Sequence, residues 1–223
     1  MQEGRQPRFG ELSLDAFVER LASAEPVPGG GSASAVAAAL GASLLAMVAS
    51  LSTGRPKFAD HEQTLAEAGA IGHRLISTFL DIADEDAAAY GAFAAALKLP
   101  RETDPEREAR RAAMSDAALL AAETPLRCVE RCLELVVAVE SLAGRSNPNA
   151  SSDLVVASLL GEAAARGAAA NVMVNVPSIA DQEVAGELVA RSKELVDQIE
   201  RLASSTRQTV LSGEPREPLP AAD

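Results

Sequence analysis

The sequence is short of the groups that usually advertise chemistry: no tryptophan, one tyrosine, two cysteines and two histidines among 223 residues, and fewer basic than acidic side chains. Each shortage excludes something. With 20 Lys and Arg against 32 Asp and Glu, the formal charge is -12, so the surplus of cations that a phosphate backbone requires is missing and nucleic acid is not an expected partner. Cys128 and Cys132 lie four apart on one helical face, too few for a disulfide framework. His61 and His73 are twelve apart with no zinc-like spacing to the cysteines, so no metal site is expected and the thiols read as small buried side chains. The opening residues, MQEGRQPRFGEL, lack the basic end and apolar run of a secretory signal, which makes the cytoplasm the expected compartment.

Charge is also missing altogether between Glu25 and Arg55. A window of that length would suit a membrane span. Its Ala, Gly and Ser content gives it a weak transfer energy, and it has no aromatic anchors, so no membrane partner is expected. The remaining reading is a helix apolar all round, at the centre of a soluble bundle and covered on every side.

What is present is helical. Sustained alternation of apolar and polar residues is almost absent while Ala, Leu, Glu and Arg dominate, and 48% hydrophobic content is enough for one real core. The expected fold class is all-α: a single-domain bundle of about six long helices around the uncharged Ala/Gly-rich helix, over residues 1–212, with a flexible tail over 213–223. The first helix is expected at about residues 14–24, capped by Ser13, with Leu14, Phe17, Val18 and Leu21 on its buried stripe. The uncharged helix starts near Ser32, a third spans about 60–97, and a fourth runs from Asp104-Pro105 to about Leu142 with Pro125 as an expected kink. A loop, GRSNPNASSD, leads into a fifth helix at about 152–174, and a sixth covers about 179–211. Residues 171–176, NVMVNV, also fit a short strand; in either geometry Asn171 and Asn175 share one side.

Polar groups on an inward stripe mark the candidate sites of a bundle. On the third helix Leu75, Phe79, Ile82, Tyr90 and Phe93 form such a stripe, and Asp86 falls within it. Either it makes a buried ion pair or cap bond, or it is a catalytic or ligand-orienting carboxylate with a shifted pKa. Asp81 and Asp84 are turned away from that stripe, toward water. Asp153 is read as inward on the first turn of the fifth helix, where an acid also suits the helix dipole. Gly29, Gly30, Gly31 and Ser32 open the uncharged helix, either as an anion cradle or as room for a neighbouring helix.

Taken in order, PVPGGGSASAVAAALGASLLAMVASLS, GRPKFAD and SNPNASSDLVVASLLGEAAARGAAANVMVNVPSIAD resemble the cyclodeaminase/cyclohydrolase family. That family comprises the C-terminal half of formiminotransferase-cyclodeaminase and stand-alone methenyltetrahydrofolate cyclohydrolases. The resemblance runs from about Leu14 to Leu211 and implies an all-helical homodimer acting on the one-carbon bridge of a tetrahydrofolate substrate, with no metal or organic cofactor. The formiminotransferase half has no counterpart in the sequence, so a cyclodeaminase activity would draw on a separate formiminotransferase. Under this resemblance Asp86 and Asp153 become the acid/base candidates, with Asn147, Asn149, Asn171 and Asn175 as amide partners for the pterin or the tetrahedral intermediate. Arg55 and Lys57, with Arg145 behind them, are candidates for the glutamate tail, and the cradle reading of Gly29 to Ser32 gains ground. The expected reaction is hydrolysis of 5,10-methenyltetrahydrofolate to 10-formyltetrahydrofolate. Deamination of formiminotetrahydrofolate is one alternative, and a non-catalytic folate-binding or scaffold dimer is another.

Overall fold

Local signals set the helix ends. Thr103 accepts from the Glu106 N–H while Glu106 bonds back to the Thr103 N–H, and Asp181 accepts from Glu183 and Val184. The computed structural model describes residues 7–219, and among them every regular element is helical. The helices are α1 (Leu14–Leu21), α2 (Gly30–Ser52), α3 (Glu62–Ala96), α4 (Asp104–Leu142), α5 (Ser151–Asn175) and α6 (Gln182–Ser212). The stretch that also fitted a strand is the last turns of α5.

From α2 to α6 the chain runs up and down. Ser32 meets α3 at Ala83 while Ala46 meets it at Gly72, and Ser34 lies against Gly167 of α5 while Gly41 lies against Ala157. Both neighbours of α2 are therefore antiparallel to it. Arg127–Glu85 and Arg74–Glu134 set α4 antiparallel to α3, and Arg207–Glu162 and Arg166–Glu200 do the same for α6 and α5. The turns consequently gather at two ends of one bundle.

Small residues fix the spacing. A β-carbon on Gly72 would lie 2.9 Å from the Ala42 carbonyl oxygen and the Ala46 nitrogen, so α3 rides on the backbone of α2. Phe79, Leu45, Leu75, Leu135 and Ile199 fill the core, and Cys128 and Cys132 are buried within it.

Several expectations are corrected. The uncharged helix is not covered on every side: Leu40 is 54% exposed, and Met47 and Leu51 lie on the same open stripe, because α3, α4 and α5 enclose only one half of it. By length and composition α2 could cross a membrane, but half of its most apolar window is buried inside the bundle. On α1 only Phe17 is buried; Leu14 and Val18 are exposed, since the helix rests on Phe17 against Phe9 (ring centroids 5.7 Å apart). Asp81 and Asp84 do not simply face water, for both pair with Arg8 and Asp84 also accepts from the Phe9 N–H at 2.8 Å. Tyr90 is exposed, off the buried stripe.

Helix α4 continues through Pro125 without a break. Proline cannot donate to the carbonyl four residues back, which is that of Ala121. Asn175 replaces the missing donor, its Nδ2 giving 2.9 Å bonds to the Ala121 and Asn171 oxygens. The segment after α6, expected to be loose, is tied by Arg216 N–H to the Gly144 oxygen (2.9 Å) and by Arg145 Nε to the Glu217 oxygen (2.5 Å). Residues 220–223 of the expected tail lie outside the described residues.

Two substitutions on α3 separate packing from propensity. Gly91 has nothing within 4 Å of a β-carbon, so Gly91→Ala should stabilise by about 0.5–1 kcal/mol in urea unfolding. Gly72→Ala adds the same propensity but forces backbone apart, and should destabilise by about 1–3 kcal/mol.

Candidate active site

Gly31 explains its own identity. A β-carbon there would lie 2.5 Å from the Asp86 carboxyl carbon and overlap its oxygens, so only glycine lets this carboxylate lie flat on the first turn of α2. Gly29 caps that turn with no side chain of its own. The anion held by the Gly29–Ser32 cradle is thus the chain's own Asp86: its Oδ2 accepts from the Ser32 hydroxyl at 2.9 Å, and that hydroxyl also lies 3.1 Å from the Ala83 oxygen.

Asp86 is half-buried and has no ion pair among the described residues. Burial pushes its pKa above the ordinary carboxylate value, while the Ser32 hydroxyl and backbone N–H pull the other way by favouring the charged form. Desolvation wins. The result is a carboxyl that binds its proton more tightly than a surface acid but keeps donors ready for the anion, as general acid–base chemistry near neutral pH requires.

Asn171 stands beside this turn, its Nδ2 3.6 Å from the place of a Gly30 β-carbon and bonded to the Gly167 oxygen at 2.9 Å. Asn175 is one turn further on, but its Nδ2 donates to two backbone carbonyls, which makes it a helix tie.

The remaining candidates lie at the opposite end. The Asn147 N–H donates to Ser52 Oγ at 2.9 Å, and its side chain accepts from the Asn149 N–H at 3.1 Å, capping the turn before α5. Arg55 and Lys57 follow α2 at this end, with Lys57 over the Phe58 ring at 5.7 Å, and Asp153 sits in the first turn of α5. Twenty residues of α2 separate Ser32 from Ser52, about 30 Å at 1.5 Å per residue. One chain therefore does not bring Asp86 together with Asp153, Asn147, Asn149, Arg55 or Lys57. Asp153 is half-buried on a stripe in which Val156 is 45% exposed and Ala157 is fully buried, so it stands at the edge of the core.

Two groups carry more weight in the structure than in the sequence. Arg145 is only 6% exposed, and its guanidinium reaches backbone oxygens alone. His61 has a buried Nδ1 with no hydrogen-bond partner. Nothing in the spacing of either residue signals this.

Residues 13–194 match the family described as formiminotransferase-cyclodeaminase. The chain belongs to that family. Its relatives include a methenyltetrahydrofolate cyclohydrolase from Methylorubrum extorquens, 34% identical over 203 residues, spanning 91% of this chain and 98% of that protein. Another is the formimidoyltransferase-cyclodeaminase of Rattus norvegicus, 34% identical over 178 residues, 80% of this chain but 33% of the rat protein. The chain thus spans about a third of that family member's length. A solved formiminotetrahydrofolate cyclodeaminase from Thermotoga maritima shares the family fold, with a TM-score of 0.82 at 24% identity over 91% of this chain and 98% of that one.

The raised pKa of Asp86 has a thermodynamic signature. An aspartate that titrates higher when folded than its unfolded value of about 3.9 stabilises the fold while protonated; that advantage is complete below about pH 3.9 and is lost as pH rises through the folded pKa. Asp86→Asn removes this titration and little else. The melting temperature of the variant minus that of the wild type should therefore climb from about pH 4 upward and then level off. A difference that stays flat would place Asp86 in ordinary solvent.

Proposed function

We propose that this chain is a folate one-carbon enzyme that hydrolyses 5,10-methenyltetrahydrofolate to 10-formyltetrahydrofolate. In that substrate one carbon bridges N5 and N10 as a delocalised cation. Water adds to the carbon and loses one proton. The C–N5 bond of the tetrahedral adduct then breaks, N5 takes a proton, and the hydroxyl gives up its own proton to become the formyl carbonyl, so one proton is released overall. A carboxylate beside the cation stabilises its charge, and one whose pKa is lifted toward neutrality can take the proton and give it back. The observation that carries the reading is Asp86, desolvated on the first turn of α2 and held there by Ser32. Asn171 is the amide placed to meet the pterin or the adduct. Water is the only co-reactant, and the proposal includes no metal or organic cofactor.

The matching span of the Methylorubrum relative favours hydrolysis, whereas equal identity to the rat protein keeps cyclodeamination as the second reading, with Asp86 protonating departing ammonia and a separate formiminotransferase supplying the substrate.

A homodimer completes this reading. Leu40, Met47 and Leu51 of α2 and Val156 and Leu159 of α5 form an exposed apolar face, and α2 contributes no charge to it. Two copies joined there about a two-fold axis crossing α2 would run their α2 helices in opposite directions. The Asp86 end of one copy would then meet Asp153, Asn147, Asn149, Arg55 and Lys57 of the other, which one chain alone keeps about 30 Å away.

Asp86→Asn should cut turnover, followed by the methenyl absorbance, by about 10²–10⁴-fold, and Gly31→Ala should lose a comparable amount by displacing the carboxylate. Near-normal rates in both variants would remove the proposal. Running methenyl- and formiminotetrahydrofolate side by side on the purified protein decides between the two reactions. Met47→Glu should yield a monomer in sedimentation that is folded and inactive; a fully active monomer would refute the shared site.

A further inference from the structure

Five serines lie on α2, and four of them turn their hydroxyls back onto their own helix: Ser34, Ser43, Ser50 and Ser52 each donate to the carbonyl four residues before, at 2.7–2.9 Å. Ser32 differs. It is fully buried, and its hydroxyl leaves α2 to lie 2.9 Å from Asp86 Oδ2 and 3.1 Å from the Ala83 oxygen, both on one turn of α3. One donor proton thus stands before two acceptors, on an oxygen that can also accept. We propose that Ser32 is a positioning residue for proton transfer at Asp86: its hydroxyl donates to the charged carboxylate, and turns to the Ala83 oxygen while accepting from the carboxyl once Asp86 is protonated. Its part in turnover rests on Asp86 as the acid and base of the folate reaction; the exchange of hydrogen bonds does not.

Only a hydrogen atom has to move. Rotation about the Cβ–Oγ bond swaps one acceptor for the other while the heavy atoms stay in place. Both forms of the carboxyl are then hydrogen-bonded at a half-buried position, where an unmatched polar group is costly. The Ser32 N–H helps the charged form alone, because it can donate but not accept. Ser32 is the one side chain bonded to Asp86 among the described residues, so its hydroxyl is what serves the protonated form. In the hydrolysis the carboxylate takes the proton lost by the attacking water as the serine hydrogen swings to Ala83. When that proton passes to N5, the serine hydrogen swings back. No proton travels through Ser32 itself.

Neighbouring charge offers no substitute for this control. α2 carries none between Glu25 and Arg55. On α3, Asp84 pairs with Arg8 and Glu85 with Arg127 of α4, while Tyr90, one turn past Asp86, is exposed. On α5, Asn171 is neutral and Arg166 is held by Glu162 and Glu200.

The test compares the intact protein with Ser32→Ala, which removes the hydroxyl and keeps helix propensity, and Ser32→Thr, which keeps the hydroxyl. Carbon-13 NMR follows the Asp86 carboxyl and the Ala83 carbonyl through a pH titration without folate. Losing a charge-assisted donor should raise the Asp86 midpoint by about one pH unit in Ser32→Ala. In the wild type the Ala83 carbonyl should shift at the Asp86 midpoint as the hydroxyl arrives. Only a smaller response to the charge itself should remain in Ser32→Ala, and Ser32→Thr should restore the rest. A hydroxyl fixed on Ala83 would present a lone pair to the carboxylate, so its removal would lower the midpoint. One fixed on Asp86 would leave equal Ala83 responses in wild type and Ser32→Ala. Either result overturns the proposal, and if threonine proves too bulky to fold, the alanine comparison decides alone. With methenyltetrahydrofolate, Ser32→Ala should lower kcat about tenfold with KM little changed, and carry the acid limb of kcat/KM upward by about the same pH unit. An unchanged pH profile in an active Ser32→Ala enzyme would remove Ser32 from the reaction. The NMR changes without any folate turnover would leave the hydrogen-bond exchange standing and remove only the catalytic proposal.

Discussion

A carboxylate pressed onto the first turn of an uncharged helix is the constraint on which the rest of the structure depends. α2 carries no acid in its first turn and no side-chain cap, so Asp86 from α3, beside the Ser32 hydroxyl and N–H, is the anion that answers this helix end. The helix end favours the ion, and burial disfavours it. The balance leaves its pKa raised, and the arrangement requires Gly31, since any side chain there would occupy the space of the carboxyl. Local geometry and acid–base behaviour are thus one fact seen twice.

The same economy of side chains runs down α2. Ala42 and Ala46 meet Gly72, Ser34 meets Gly167, and Gly41 meets Ala157, so three helices approach at backbone distance. Close approach favours dispersion contacts and leaves little room for polar atoms in the middle of the bundle. Buried polar side chains accordingly gather at the two ends, Asp86 with Asn171 at one and Arg145 with His61 at the other.

Much of this was legible in the residues. The all-helical class, the order of six helices and most of their ends followed from caps and prolines, as Thr103-Asp104-Pro105 illustrates. Asp86 stood out because a charged side chain interrupted the run from Leu75 through Ile82, and it proved to be half-buried where an acid is costly. What periodicity could not supply was height: it assigns a residue to a face, and candidates on similar faces were about 30 Å apart once α2 was laid against its neighbours. Nor could it tell a covered apolar stripe from an open one, hence Leu40 on α2 and Val18 on α1. Arg145 and His61 were obscure for a different reason, because burial of a cation and loss of a hydrogen-bond partner arise only when distant segments meet.

Pro125 leaves one further mark on the architecture. By withholding its own nitrogen it turns the Ala121 oxygen into an acceptor that faces outward from α4, and the amide of Asn175 occupies it. Sliding α5 along α4 by a single residue, or rotating it by one position, would strand that oxygen in a buried place. An imino acid that elsewhere interrupts helices thus serves here as an index pin, fixing the phase of one rod against another.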